Sequence, residues 1–391
     1  MGRPMLRYAA VLSMFALMAA GGASAGQTAM PAAGALEPAA KAAAGLPRLR
    51  SLLVSWKGTL ILERYYGGAR ASQHANIKSA SKSVISALVG IAVSKGLIQS
   101  VYQPIGDFFP ELARDPERRK REITIEDLLT MRSGLQSTSG REYGAWVQSR
   151  NWVRYVLAQP LEDDPGTRVE YSTGSSHLLS AILTKVSKKS TWQFAQEELA
   201  RPLGFTLARW TRDPQGIFFG GNEMSMTPRQ MIRFGELYVN EGRIGDRQLL
   251  PQSWIDRTAI GRGRSRWGSD REYGYGFWIR EFDGRRSFYA WGYGGQFIFV
   301  IPDLDLVIVT TSRSDVSRER RDHLGAIYDL VEQQIVPAIK AVTDVSHGDT
   351  ERTEDLLQEC VHDPKRPLRM LNDMLRAFRV SVVSVRHLTL F

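Results

Sequence analysis

With one cysteine in 391 residues, Cys360, the chain has no intrachain disulfide, and no lipid-anchoring cysteine follows its N-terminal apolar run. Small exported folds stapled by disulfides are thereby excluded. The six histidines show no metal-ligand spacing, so no metal site is expected. His177, near the start of an amphipathic helical segment, reads as structural or polar-lining rather than as a ligand. Long apolar runs are missing too. Tyr8 to Ala20 is too short to cross a bilayer and nothing later is long enough, so no stable membrane insertion is expected.

That short run has Arg3 and Arg7 before it and Ala23-Ser24-Ala25 after it. This is the layout of a secretory signal, and it predicts cleavage after Ala25 and a periplasmic or secreted protein. Residues 1–25 are then a signal peptide, and 26–48, rich in Ala, Gly and Pro, a linker. The net charge of +10 lies in runs such as Arg118-Arg119-Lys120-Arg121, interleaved with acids. Such runs describe a solvated surface, and no nucleic-acid partner is expected.

At 43% hydrophobic residues the chain can bury a large core. Ser51 to Tyr66 alternates as a hairpin with Lys57-Gly58 at its turn. From Ile77 to about Arg212 the periodicity is helical, as in Ile123 to Leu135 and in Ser175 to Lys189. Thr227-Pro228-Arg229-Gln230 supplies an N-cap, a first-turn proline and a capping-box glutamine for a helix to about Asn240. Tyr273 to Ser312 is a β-meander turning at Asp283-Gly284, Gly294-Gly295 and Pro302-Asp303, and a helix from about Ser317 to Val336 should cover it. Hairpin first and meander last predict one antiparallel sheet built from both chain ends, flanked by helices, with a helical subdomain at about 77–212 inserted beside it. The class is α+β over residues 49–340. Residues 341–391 change character and form a tail of no assigned role.

Chemistry concentrates at Ile77 to Gly96. Val84, Ile85, Leu88, Val89, Ile91 and Val93 leave this helix little polar face, and Gly96 is a C-terminal stop. Yet Lys82 lies near its start, one turn after Ser79, on the same face. A buried lysine lowers its pKa and can activate a neighbouring hydroxyl. The spacing alone equally admits an N-capping serine beside a helix-start lysine. The match Gly22-Ala23-Ser24-Ala25-Gly26 to a nucleophile elbow follows no strand and lies in the signal segment.

A serine–lysine pair needs a second proton carrier, and two tyrosines offer themselves. Tyr238 matches Tyr-x-Asn but sits at a helix C-terminus, where the dipole opposes a phenolate. Tyr171 precedes a helix, whose positive end and a nearby lysine should favour phenolate there. Trp291-Gly292-Tyr293-Gly294-Gly295 offers bare main chain at a strand end, either for a substrate or for the turn alone.

Together these residues resemble the serine β-lactamase and penicillin-binding-protein superfamily, most of all its class C-like branch of esterases, D-aminopeptidases and 6-aminohexanoate-dimer hydrolases. The resemblance runs from about Leu52 to Ile339. Its pieces occur in order: Ser79-Ala80-Ser81-Lys82, Ile123 to Leu135, Pro165 to Leu179, Gly220 to Gly242 and Ala290 to Val309. It implies a β-lactamase/transpeptidase-like fold, acylation of Ser79, activation by Lys82 and proton transfer by Tyr171. It further implies an oxyanion hole from the main-chain amides of Ser79 and Tyr293, and no cofactor. Thr173, Trp291 and Gly292 fall at substrate-binding positions.

Two departures bear on specificity. Tyr171-Ser172-Thr173 replaces the family's Tyr-x-Asn, and Ala290-Trp291-Gly292 stands where Lys-Thr-Gly or His-x-Gly is usual. Arg262 or Arg264 could reach in to replace the missing cation. The expected activity is hydrolysis of small esters or amides through an acyl-enzyme. The alternatives are a β-lactamase or DD-peptidase, and a non-catalytic penicillin-binding sensor.

Overall fold

The computed structural model describes residues 34–263 and 271–342. The signal segment, Arg264, Cys360 and nearly all of the tail lie outside these. Residues 34–338 belong to one compact unit, to which the following description applies.

Its centre is an antiparallel sheet of seven strands. These are β1 (Leu49–Trp56), β2 (Thr59–Tyr65), β3 (Glu272–Tyr273), β4 (Trp278–Phe282), β5 (Arg285–Gly292), β6 (Gln296–Ile301) and β7 (Leu306–Ser312). The order across the sheet is β2-β1-β7-β6-β5-β4-β3, so the N-terminal hairpin pairs with the last strand of the meander. Lys57 (φ 49°) and Gly58 (φ 71°) turn the hairpin, and Asp283 (φ 49°) and Gly284 (φ 71°) turn β4 into β5. Positive φ at both central residues matches the strand twist.

Helices cover both faces. On one lie α1 (Glu37–Ala44) and α6 (Arg320–Leu330), the latter running on through a π turn to Ile335. On the other lie α2 (Ser81–Ser94), α3 (Ile125–Leu129), α4 (Thr173–Ser187) and α5 (Pro228–Val239). Thr227 and Gln230 form the expected capping box on α5, with Pro228 in its first turn. Gly235 lets α5 close on the sheet, since a Cβ there would stand 2.4 Å from Val307 Cγ1.

The linker reading of residues 26–48 is corrected in its described part. Glu37–Ala44 is a helix whose Ala39, Ala40 and Ala43 are buried against the sheet layer. Small side chains let the helix axis approach closely, so an Ala-rich stretch that resembles a linker in composition is close-packed here.

α2 is buried on every side from Ser81 to Ala92 and ends at Ser94, with Lys95 as its C-cap before Gly96 (φ 69°). Two of its buried serines bond across to the sheet side. Ser83 donates to Gly276 O at 2.6 Å and Ser86 to Tyr275 O at 2.8 Å, tying the helix to the loop before β4.

Candidate active site

Ser79 does not cap α2. It sits in a 3-10 turn, Lys78–Ala80, just ahead of the helix, and Ala80 holds the capping position without a side-chain bond. Lys78 has φ 52°, a left-handed conformation that costs a non-glycine residue energy and persists where the surroundings impose it. They do so here. Lys78 N–H donates to Asn76 Oδ1 at 2.9 Å, Asn76 Nδ2 donates to Glu223 Oε2 at 2.7 Å, and Lys78 Nζ pairs with Glu223 at 3.3 Å.

Lys82, in the first turn of α2, is 3% exposed. Its Nζ lies 3.2 Å from Ser79 Oγ, 3.3 Å from Thr173 Oγ1 and 2.8 Å from the Gly221 carbonyl. No carboxylate is among these partners. Burial without a counter-charge therefore pulls the ammonium down to about 7. Near neutral pH a large share of Lys82 is free amine, able to take a proton from Ser79.

Tyr171 stands beside them, two residues before α4, with the Ser79 hydroxyl as a hydrogen-bond partner of its oxygen. Trp278 stacks on its ring at 5.5 Å and Tyr273 meets it edge-on at 5.9 Å. The expectation of a phenolate is overturned. Burial raises the phenol well above its ordinary value, and the Ser79 bond offsets this only in part. Lys82 gives the oxygen little help, because Nζ stands over the ring, 4.9 Å from its centroid. Burial therefore favours the neutral phenol at Tyr171. Tyr238, the other tyrosine considered, is packed among Phe234, Phe277 and Phe288, away from Ser79.

Thr173 occupies the amide position of Tyr-x-Asn and keeps its link to the lysine through Oγ1. Ser139, which the sequence reading did not single out, fixes Thr173: its Oγ accepts the Thr173 N–H at 2.9 Å and lies 2.9 Å from Thr173 Oγ1.

On the far side is the end of β5. Pairing with β4 stops at Trp278–Tyr289, so Ala290, Trp291 and Gly292 run on without a β4 partner. Gly292 is obligatory, because a Cβ there would stand 2.0 Å from the Ile77 carbonyl oxygen. The strand end is thereby pressed against the turn that bears Ser79, and Tyr293 follows at the start of the β5–β6 turn. A cavity of about 540 Å³ opens over these groups. Tyr143, Tyr171, Trp278, Trp291 and Tyr293 give it aromatic walls, with Ser139, Thr173, Asn222 and Ser314 as polar points.

Ala290 is buried and brings no charge. Arg262 does not substitute for it: its guanidinium turns to Glu126 at 3.6 Å and lies over the Tyr275 ring. The rim is nevertheless cationic. Lys78 and Arg320 line it, and Arg320, at the start of α6, lies 4.5 Å from the Tyr293 ring centroid. Ser139, Tyr143, Asn222, Trp278 and Arg320 come from separate loops and elements, and no motif in the sequence marks them. Among the described residues no cluster of His, Cys, Asp and Glu could hold a metal, and no helix is long and apolar enough to cross a membrane.

The family described as Beta-lactamase matches residues 50–332. A 6-aminohexanoate-dimer hydrolase of Paenarthrobacter ureafaciens is 25% identical over 285 residues, covering 66% of this chain and 70% of that protein. Among solved structures, a putative beta-lactamase from Bacteroides dorei superposes with TM-score 0.65 at 18% identity, covering 78% of this chain and 99% of that one. A family VIII carboxylesterase superposes with TM-score 0.60 at 16% identity, covering 76% and 97%. The family match over residues 50–332 decides the assignment: the chain belongs to the beta-lactamase family of serine hydrolases.

Proposed function

We propose that the protein is an exported hydrolase that cleaves small ester or amide substrates through an acyl-enzyme on Ser79. The observation that carries this reading is the buried, carboxylate-free amine of Lys82, 3.2 Å from Ser79 Oγ. Ser79 Oγ bonds to the substrate carbonyl carbon while its proton passes to Lys82. The carbonyl oxygen becomes an oxyanion held by the N–H groups of Ser79 and Tyr293. Ser79 lies in a short 3-10 turn, whose N–H groups lack intrahelical acceptors, and Tyr293 lies in the β5–β6 turn across from it. Tyr171 gives its proton to the departing oxygen or nitrogen as the carbon–leaving-group bond breaks, and is reprotonated from Lys82. Water then attacks the ester on Ser79 by the reverse relay, releasing the acid and free serine.

The relatives support both halves of the substrate class, since one is named for an amide dimer and another as a carboxylesterase. Aromatic walls and the uncharged Ala290 favour a neutral acyl group, because burying a carboxylate without a partner is costly. Arg320 favours a second reading, in which a substrate carboxylate, as in β-lactams, rests at the rim. A fluorophosphonate probe tests the first step. It should add one adduct, mapped by peptide mass to Ser79, and labelling undiminished in Ser79→Ala refutes the assignment.

A further inference from the structure

We infer that His177 and Asp213 form a buried positioning pair that holds the Gly220–Gly221 main chain against Lys82. The inference rests on the hydrolase reading above, because it concerns how that lysine is kept in place.

Both side chains are fully buried, His177 on α4 and Asp213 in a loop 36 residues further along the chain, with Nε2 3.1 Å from Oδ2. The carboxylate is itself fixed: Oδ1 accepts the N–H of Gln215 at 2.9 Å and of Ile217 at 2.8 Å. A carboxylate only accepts, so Nε2 carries the ring proton and Nδ1 presents a lone pair. The Gly220 N–H donates to that lone pair at 3.4 Å. Trp146, Trp152 and Phe219 meet the imidazole edge-on at 5.9, 5.3 and 6.0 Å between centroids, which shuts out water and fixes the ring plane.

One residue beyond the anchored N–H, the Gly221 carbonyl accepts from Lys82 Nζ at 2.8 Å. The glycines are needed for this approach. A Cβ on Gly220 would lie 2.2 Å from Ser176 O, and one on Gly221 2.8 Å from Thr173 Cγ2. The segment therefore rests directly on the first turn of α4, and the imidazole bonds it there. With the ring proton on Nδ1 instead, two donors would face each other and the segment would lift. Gly221 O would then leave Lys82, and a carbonyl stabilises an ammonium more than an amine. The lysine would lose both its direction toward Ser79 and part of its basicity.

Asp213→Asn tests this, because its amide can donate to Nε2 and admit the wrong tautomer. On a p-nitrophenyl ester, kcat should fall on the order of tenfold to a hundredfold, with KM nearly unchanged. The acid limb of kcat/KM should move to lower pH, by about half a unit or more. His177→Phe should behave alike, whereas His177→Asn, whose Oδ1 can accept from Gly220, should recover most of kcat. A merely structural pair would lower the melting temperature of all three without moving the acid limb, and that outcome overturns the inference. Should the variants fail to fold, long-range ¹H–¹⁵N spectra of histidine-labelled wild type decide it. The Nε2–H tautomer of His177, with Nδ1 bare, is expected, and an Nδ1–H or doubly protonated ring refutes the pair. Loss of the hydrolase reading itself is recognised separately, as wild-type turnover that does not depend on Ser79.

Discussion

Replacing Lys82 by Met should abolish turnover and yet stabilise the protein near neutral pH. A lysine brought from 10.5 down to about 7 by burial burdens the folded state, at ~1.4 kcal/mol per pH unit, with on the order of 5 kcal/mol. Methionine fills the same space without that burden. It leaves the Gly221 carbonyl without its donor, which costs about 1–3 kcal/mol. The remaining gain, about 2–4 kcal/mol, corresponds at this chain size to a melting temperature about 3–6 °C higher. The difference must depend on pH. Between about 7 and 10.5 the unfolded chain holds a proton on Lys82 that the folded one has released. Wild-type stability relative to the variant therefore rises through that window. Below about 7 the variant's advantage is complete; near 10.5 it is gone, and the lost hydrogen bond leaves wild type the more stable. Calorimetry of both proteins from pH 6 to 10.5 measures this directly. A variant less stable than wild type at pH 7, by an amount constant to pH 10, would mean that Lys82 is a charged and fully paired lysine. In the proposed mechanism, where the free amine accepts the Ser79 proton, the same ionisation should set an acid limb near pH 7 in wild-type kcat/KM.

Further outcomes follow from the same geometry. Tyr171→Phe should lower turnover about a hundredfold or more, the usual worth of a proton-transfer group, whereas Tyr238→Phe, buried among phenylalanines, should change it little; the reverse pattern in steady-state kinetics would reassign the proton carrier. A p-nitrophenyl ester of a short neutral acid should exceed a chromogenic cephalosporin in kcat/KM by roughly ten- to a hundredfold, the worth of one missing charged contact. A faster cephalosporin that slows in Arg320→Ala would instead establish carboxylate recognition at the rim. Gly292→Ala, whose Cβ would meet the Ile77 carbonyl at 2.0 Å, should cost about 1–3 kcal/mol in urea denaturation and lower kcat more than its KM changes, because it displaces the strand end leading to Tyr293.

The features legible in the sequence are those fixed by local backbone chemistry. Lys57-Gly58 and Asp283-Gly284 announce turns because both residues of each take positive φ. Thr227-Pro228-Arg229-Gln230 announces a helix because the cap bonds lie within one turn. Ser79 and Lys82 are legible for the same reason, one helical turn bringing them together. What escaped depends on partners distant along the chain. Tyr171 was expected to ionise from its place before a helix, but Trp278 and Tyr273, over a hundred residues on, help bury it. Ser139 reaches Thr173 from another loop, and Arg320 enters the rim from the last helix. Arg262, by contrast, is drawn off by Glu126, an attachment that no spacing foretells. The alanines of residues 37–44 escaped because short side chains suit a loose linker and a tight helix equally.

That tight helix has a practical consequence. The segment that matches the family begins at residue 50, beyond the end of α1 at Ala44. A gene trimmed to the family boundary would yield a protein whose sheet layer had lost the cover that Leu36, Ala39, Ala40 and Ala43 provide, together with the bond from Tyr66 Oη to the Ala40 carbonyl. The apolar surface so uncovered adjoins β1, which lies next to the edge strand β2, and contiguous patches of that kind drive association between copies. Loss of solubility in such a truncation would reflect a missing lid on the sheet and carry no information about the chemistry at Ser79.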